Sequence, residues 1–203
     1  VQAHDTQSGI NTGIRQELAD ARKEVRIDLA KAKRELDTEN LRLDNDLQFG
    51  GGDASKSKLA RTKPVPAEIT PRGDFLIEGK PQAIDAGQRR QLLAYRGQVI
   101  GIAKSGIEVG QRSAEAALDA VGNGSLFGLV FGAMTGSLER RVERVVKQEI
   151  EPGVRSICRQ LPALMDSQQR LASSLVQFRP YATLEADDVN DCEKQVRSEF
   201  ASR

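Results

Sequence analysis

The chain has 203 residues, with 30 lysines and arginines against 29 aspartates and glutamates, a net charge of +1. That balance provides no general pull toward nucleic acid or anionic lipid, so neither is expected as a partner on charge alone. Hydrophobic residues are 38% and aromatics 4%, with no Trp, which suits long solvated helices with narrow apolar stripes better than one large core.

Taken in chain order, Val1 opens without a charged-then-apolar leader. The expectation is a leader that was removed or never present. His4 is the single histidine and sits in a polar stretch, 1–9, expected to be a mobile tail. A histidine general base is therefore not expected. From Ile10 to Leu47 the pattern is helical. Leu18, Ala21, Val25, Leu29, Ala32, Leu36, Leu43 and Leu47 recur at three- and four-residue steps. The eleven-residue spacings Leu18 to Leu29 and Leu36 to Leu47 suit a nearly straight, coiled-coil-like helix. Half of residues 14–47 are charged, with both signs interleaved, which predicts a solvated helix with one packed edge. A projecting arm that docks on a partner is the sharper alternative.

Gly50-Gly51-Gly52, followed by Ser, Lys, Pro64 and Pro66, reads as a linker over 50–67. It separates a charged helical arm, 1–49, from the remainder, 68–203. Two or three short antiparallel strands follow: Glu68 to Thr70, Phe75 to Glu78, and Gln82 to Ile84. The turns between them are Pro71-Arg72-Gly73-Asp74 and Gly79-Lys80. Arg72-Gly73-Asp74 spells an integrin-binding tripeptide, but Gly and Asp are ordinary turn residues. Such a meander is marginal alone and must pack on helices.

Asp85 with Gln88 forms a capping-box pattern at the start of a helix predicted over Ala86 to about Val121. Gly97, Gly101, Gly106, Gly110 and Ala114 give it a small-residue stripe, and Gly122-Asn123-Gly124 signals a turn. Ala120 to Leu138 then carries no charge for 19 residues, with Gly124, Gly128, Gly132 and Gly136 at a strict spacing of four. On a helix those four share one face and allow another backbone to approach closely. The expectation is an antiparallel helical hairpin, with Gly106 and Gly110 as packing positions too. Insertion into a bilayer, or homo-oligomerisation through the stripe, is the alternative. Leu138, Val142, Val145, Val146 and Ile150 resume an amphipathic pattern. Glu151-Pro152-Gly153 predicts a break or kink. Val154, Ile157, Cys158 and Leu161 begin another helix, and Pro162 starts a further turn of it. Its stripe continues through Leu164, Met165, Leu171, Leu175 and Phe178 to an end at Arg179-Pro180-Tyr181. Residues 184–203 predict a short C-terminal helix.

Cys158 and Cys192 are the two cysteines, with no CxxC between them. An even, distant pair is what an oxidising compartment uses as a staple, and two buried thiols in a cytosolic protein are the other reading.

Phe75-Leu-Ile-Glu-Gly-Lys80, Ala83-Ile84-Asp85, Gln88-Arg89, Leu92 and Tyr95 together resemble a signature of the YggN-like periplasmic proteins, a Gram-negative family of unknown function. The likeness covers about residues 68–160, Cys158 included, and leaves out residues 1–47 and the Cys192 tail. It implies an exported, periplasmic protein. It implies no reaction and no catalytic residues.

No phosphate loop, dinucleotide fingerprint or nucleophile elbow occurs. Glu185, Asp187, Asp188 and Asp191 do not match a calcium loop, and such carboxylates suit a helix start. Arg140, Arg141, Arg144 and Lys147 share their helix with Glu139, Glu143 and Glu149, so no nucleic-acid stripe emerges. The chain thus predicts a mainly α, elongated helical hairpin or bundle with a small β meander and a stapled C-terminus. No metal, cofactor or catalytic set is expected. The functional expectation is a non-enzymatic periplasmic protein-binding module, such as an inhibitor, a toxin-neutralising immunity protein or a chaperone. Its partner would be a toxin or an envelope protein. The runner-up is a membrane-associated or envelope-structural protein acting through 120–138.

Overall fold

The structure, a computed structural model, describes residues 3–43, 64–122, 140, 143–144 and 146–200. The described residues are mainly helical, with four long helices and a small antiparallel sheet. They fall into two compact units, one drawn from Val1–Lys33 and Gly106–Val154, the other from Arg34–Ser105 and Arg155–Arg203. The expected arm, linker and remainder were divisions by composition. The compact units follow packing, and their three boundaries each fall inside a long helix.

Helix α1 spans Ala3–Thr38, so His4 and most of the expected tail are helical. It stops well before Leu47, where the sequence pattern had ended it. Two residues on, Leu41–Arg42 forms strand β1 against β2, Ala67–Ile69. Leu41 and Leu43 flank Arg42 with the period of a strand, and both pack on the core. The end of α1 is held by Arg96, which is 8% exposed. Its Nη2 donates to the carbonyls of Leu36 (3.1 Å), Asp37 (3.1 Å) and Glu39 (2.8 Å). These are carbonyls a helix end leaves without partners, and the guanidinium meets the negative end of the helix dipole.

The sheet is a meander in the order β1-β2-β3-β4, with β3 at Phe75–Ile77 and β4 at Lys80–Pro81. The third expected strand lies two residues earlier than Gln82, because Glu78 and Gly79 make a two-residue turn that brings Lys80 opposite Ile77. Both turn residues have positive φ, 50° at Glu78 and 74° at Gly79, the geometry that tight hairpins require. Gly73, at φ 83°, closes the β2–β3 turn. A Cβ there would stand 2.8 Å from Leu93 Cγ and 2.9 Å from Arg89 Cγ. The turn is therefore seated on the next helix. Arg89 Nη1 also donates to Arg72 O (3.0 Å) and Asp74 Oδ1 (2.6 Å). That bond to Arg89 is the main reason the Asp74 carboxyl is held below its usual range. An aspartate so engaged is not displayed as a recognition tripeptide needs.

Helix α2 spans Ala86–Gly122, close to the predicted bounds. Its capping box is formed: Gln88 N–H donates to Asp85 Oδ1 (2.7 Å), and Asp85 N–H to Gln88 Oε1 (2.9 Å). A five-residue π-helix, Val146–Ile150, leads into α3, Glu151–Ser174. The break or kink expected at Glu151-Pro152-Gly153 falls where the π-helix passes into α3, a change of helical pitch beside a proline that cannot donate. Pro162 lies inside α3 and forgoes the bond to the carbonyl of Cys158. A 3-10 turn, Val176–Tyr181, precedes α4, Ala186–Phe200. Asp188 Oδ2 accepts from Glu185 N–H (2.9 Å) at the start of α4.

The core of the second unit joins Ile69 and Phe75 of the sheet to Leu92, Tyr95, Val99 and Ile102 of α2. Leu161, Leu164 and Leu171 of α3, with Leu175, Phe178 and Tyr181 after it, complete the core. Full burial of each such side chain contributes roughly 1.5–3 kcal/mol. Phe75, Tyr95, Phe178 and Tyr181, half of the chain's aromatics, meet here. Phe178 meets Tyr95 edge-on at 5.2 Å and Phe75 at 6.2 Å. Burial pushes the Tyr95 phenol up to about 12. Gln168 is buried, and its amide is matched on both sides by Leu184. Gln168 Nε2 donates to Leu184 O (2.8 Å), and Leu184 N–H donates to Gln168 Oε1 (3.0 Å). Cys158 and Cys192 are disulfide-bonded, with Cα atoms 5.7 Å apart, and tie α4 to α3.

Candidate protein-binding surface

The charges of α1 look interleaved in the sequence, but the helix sorts them. Arg15, Arg22, Arg26 and Lys33 follow one another at steps of seven and four, which keeps them on one face. Glu17, Asp20, Glu24 and Asp28 follow at steps of three and four on a different face. So α1 carries a basic stripe and an acidic stripe.

Part of the basic stripe is met by α2. Arg22 pairs with Asp119, Arg26 Nε with Glu115 Oε1 (2.9 Å), and Lys33 Nζ with Glu108 Oε1 (3.2 Å). The order along α2 is the reverse of that along α1, so these segments run antiparallel in one register. Further along, Lys104 Nζ reaches Asp37 Oδ1 at 2.7 Å. The Arg26 bond is the largest reason the Glu115 carboxyl titrates below its usual range, with Gln111 next and the Arg22 charge adding to it. Each pair is partly exposed and is worth little singly. Their value is in fixing register, because a slip by one turn sets every charge against the wrong neighbour.

Beside this ladder α1 lines a groove of about 750 Å³. Among the described residues its apolar lining is Leu18, Ala19, Ile27 and Ala30, and its cationic lining is Arg15, Arg22, Lys23 and Arg26. Ile27 is 55% exposed. Arg15 and Lys23 are exposed and have no ion-pair partner among the described residues. Arg22 Nε is buried with no hydrogen-bond acceptor. The described lining thus mixes small or apolar side chains with cationic ones along one helix.

The residues singled out in the sequence fare differently. Gly124, Gly128, Gly132 and Gly136 lie outside the described residues. Gly106 and Gly110 are exposed, and a Cβ on either would meet no described atom within 4 Å. Close approach occurs instead at Gly153, where a Cβ would collide with the Val109 side chain. Cys158 and Cys192 pair with each other. Of the acidic tail, Asp188 caps α4, and Asp191 Oδ1 lies 3.5 Å from Lys194 Nζ. Among the described residues no cluster of three or more His, Cys, Asp or Glu could hold a metal, and no helix is long and apolar enough to cross a membrane. The ladder itself was missed. Its signal, equal steps between basic residues of one helix and acidic residues of another taken in reverse, is present in the sequence.

Comparison with protein-family models, with curated proteins and with solved structures finds no match to this chain.

Proposed function

We propose that the protein is a non-enzymatic protein-binding module that holds its partner on the exposed face of α1. The observation that supports this reading is α1 itself, whose basic stripe is met only in part by α2 and which leaves Ile27 exposed one turn from Lys23 and Glu24. Exposed apolar surface rimmed by charge is a mark of interaction sites. We further propose export to an oxidising compartment, the periplasm. The disulfide supports it, as does the resemblance of residues 68–160 to YggN-like proteins. An inhibitor, an immunity protein against a toxin and a chaperone all fit this class.

The test is affinity capture from an envelope extract, with liposome flotation on the same sample. One stoichiometric protein partner, lost when Ile27→Asp is introduced, is the expected result. Flotation with no protein partner would overturn the reading and shift attention to segment 120–138.

A further inference from the structure

We propose that the Cys158–Cys192 bond is a latch: reduction by a dithiol frees α4 from α3 while the core of the second unit stays folded. The device does not depend on what α1 binds.

The core ends before α4 begins. Its buried members run from Ala67 to Leu184, and α4 adds only Val189 and Cys192 at its margin. Leu184 is closed onto α3 by its paired bonds with Gln168, so the chain can part beyond it without opening the core.

Helix α4 is otherwise thinly held. Of residues 186–198 only Val196 is buried; Asp188, Val189 and Cys192 are half-buried and the rest are exposed. Val189, Cys192 and Val196 follow at steps of three and four, one narrow stripe. Among the described residues, the hydrogen bonds and ion pairs of its side chains stay within the helix and its first turn: Asp188 with Glu185, Lys194 with Asp191, Arg197 with Glu193, Ser198 with Gln195. A helix of 15 residues without tertiary support is marginal in water. The covalent bond therefore supplies much of what keeps α4 docked.

The flank it leaves is defined by two ties. As the chain advances from Leu184 to Cys192, its partner on α3 retreats from Gln168 to Cys158, about 15 Å of antiparallel helix. Cys158, Leu161, Met165 and Gln168 share that flank at steps of three, four and three. Cys158 is 3% exposed whereas Cys192 is half-buried, so Cys192 is the sulfur open to attack.

The chemistry is thiol–disulfide exchange. A thiolate of the dithiol attacks Cys192 Sγ, the bond between the two cysteines breaks, and Cys158 leaves as a thiolate that takes up a proton. The second thiol of the reductant loses its proton, attacks the mixed disulfide and releases Cys192, which takes that proton. Two electrons pass to the cystine, and the reductant is left as its own disulfide.

The test uses the full chain and dithiothreitol, without urea. Reduction is expected to go to completion with the core folded. Amides 189–197, protected in the oxidised chain, are then expected to exchange within about tenfold of an unstructured peptide, with those of Leu171, Leu175 and Leu184 at least about a hundredfold slower than that peptide. Cys192→Ser leaves Cys158 as the one thiol, and iodoacetamide is expected to alkylate it within about tenfold of the rate for a peptide thiol. Protection of α4 that survives reduction would overturn the proposal, as would loss of core protection together with α4, or a cystine reduced only on unfolding. So would a Cys158 thiol in that variant more than about tenfold slower than a peptide thiol. A Cys192→Ser chain that does not fold would do the same, since the core would then depend on the bond.

Discussion

Replacing Arg96 with Met should unfasten the end of α1. Arg96 Nη2 faces three carbonyls at 2.8–3.1 Å, yet that nitrogen carries only two hydrogens. The three bonds are therefore shared, equivalent to about two full ones. A hydrogen bond to a charged group contributes roughly 1.5–3 kcal/mol. Methionine keeps most of the apolar stem and removes the cost of burying a charge, which returns part of the loss. The net expectation is a destabilisation of about 2–4 kcal/mol. Urea unfolding measures the total, and hydrogen exchange locates it. Leu43 N–H, bonded to Ala67 O at 2.9 Å just beyond the cap, should lose protection first. Arg96→Lys, which retains charge but not the planar fork, should fall between the two. A loss below about 1 kcal/mol with unchanged protection at Leu43 would refute the idea that this arginine holds the helix end.

The remaining predictions concern backbone space, pH and the cross-link. Gly106→Ala and Gly110→Ala should each stabilise by up to about 1 kcal/mol, since helix propensity improves and the added methyl meets open space. Gly153→Ala should cost about 1–3 kcal/mol through its collision with Val109; thermal melts of the three variants give the comparison, and equal shifts would contradict it. Tyr95 titrates near 12 when folded and near 10 when unfolded, so its neutral form is favoured by the fold. Its contribution is complete below pH 10 and is lost as pH rises toward 12. Stability measured in urea at pH 9 and at pH 11 should fall by about 1–1.5 kcal/mol less for Tyr95→Phe than for the parent chain. Removing the Cys158–Cys192 bond, which spans 34 residues, should cost roughly 4 kcal/mol on the chain-entropy estimate. Reduction monitored by thermal unfolding checks this, and a midpoint insensitive to reductant would count against it.

Much of the architecture was legible because it rests on local signals. The Asp85–Gln88 box marks the start of α2 to the residue, and its apolar positions carry the helix to its observed end. The mainly helical class with a small meander follows from the same reading. What failed were boundaries set by distant partners. Nothing between Thr38 and Leu41 breaks a helix on its own. The helix stops because Arg96, more than fifty residues away, supplies the cap and β2 supplies a strand to pair with. At Pro152 the chain changes from π to α pitch without leaving the helix, a distinction that a proline in the sequence does not spell out. The cystine was inferred from compartment logic, and the structure forms it. The charge ladder was hidden by reading charge as a mixture, since only a helical projection separates Arg15, Arg22 and Arg26 from Glu17, Asp20 and Glu24.

The cystine closes a ring over one continuous stretch, and that stretch supplies Leu161, Leu164, Leu171, Leu175, Phe178, Tyr181 and Leu184 to the core. An oxidised chain therefore begins its folding search with half of its core already confined. The other half, on β2, β3 and the first turns of α2, must arrive from far upstream with no such restraint. The slow event in folding is then expected to be the docking of the meander onto an already gathered C-terminal ring. A peptide bond cut anywhere inside the ring would leave the two pieces joined.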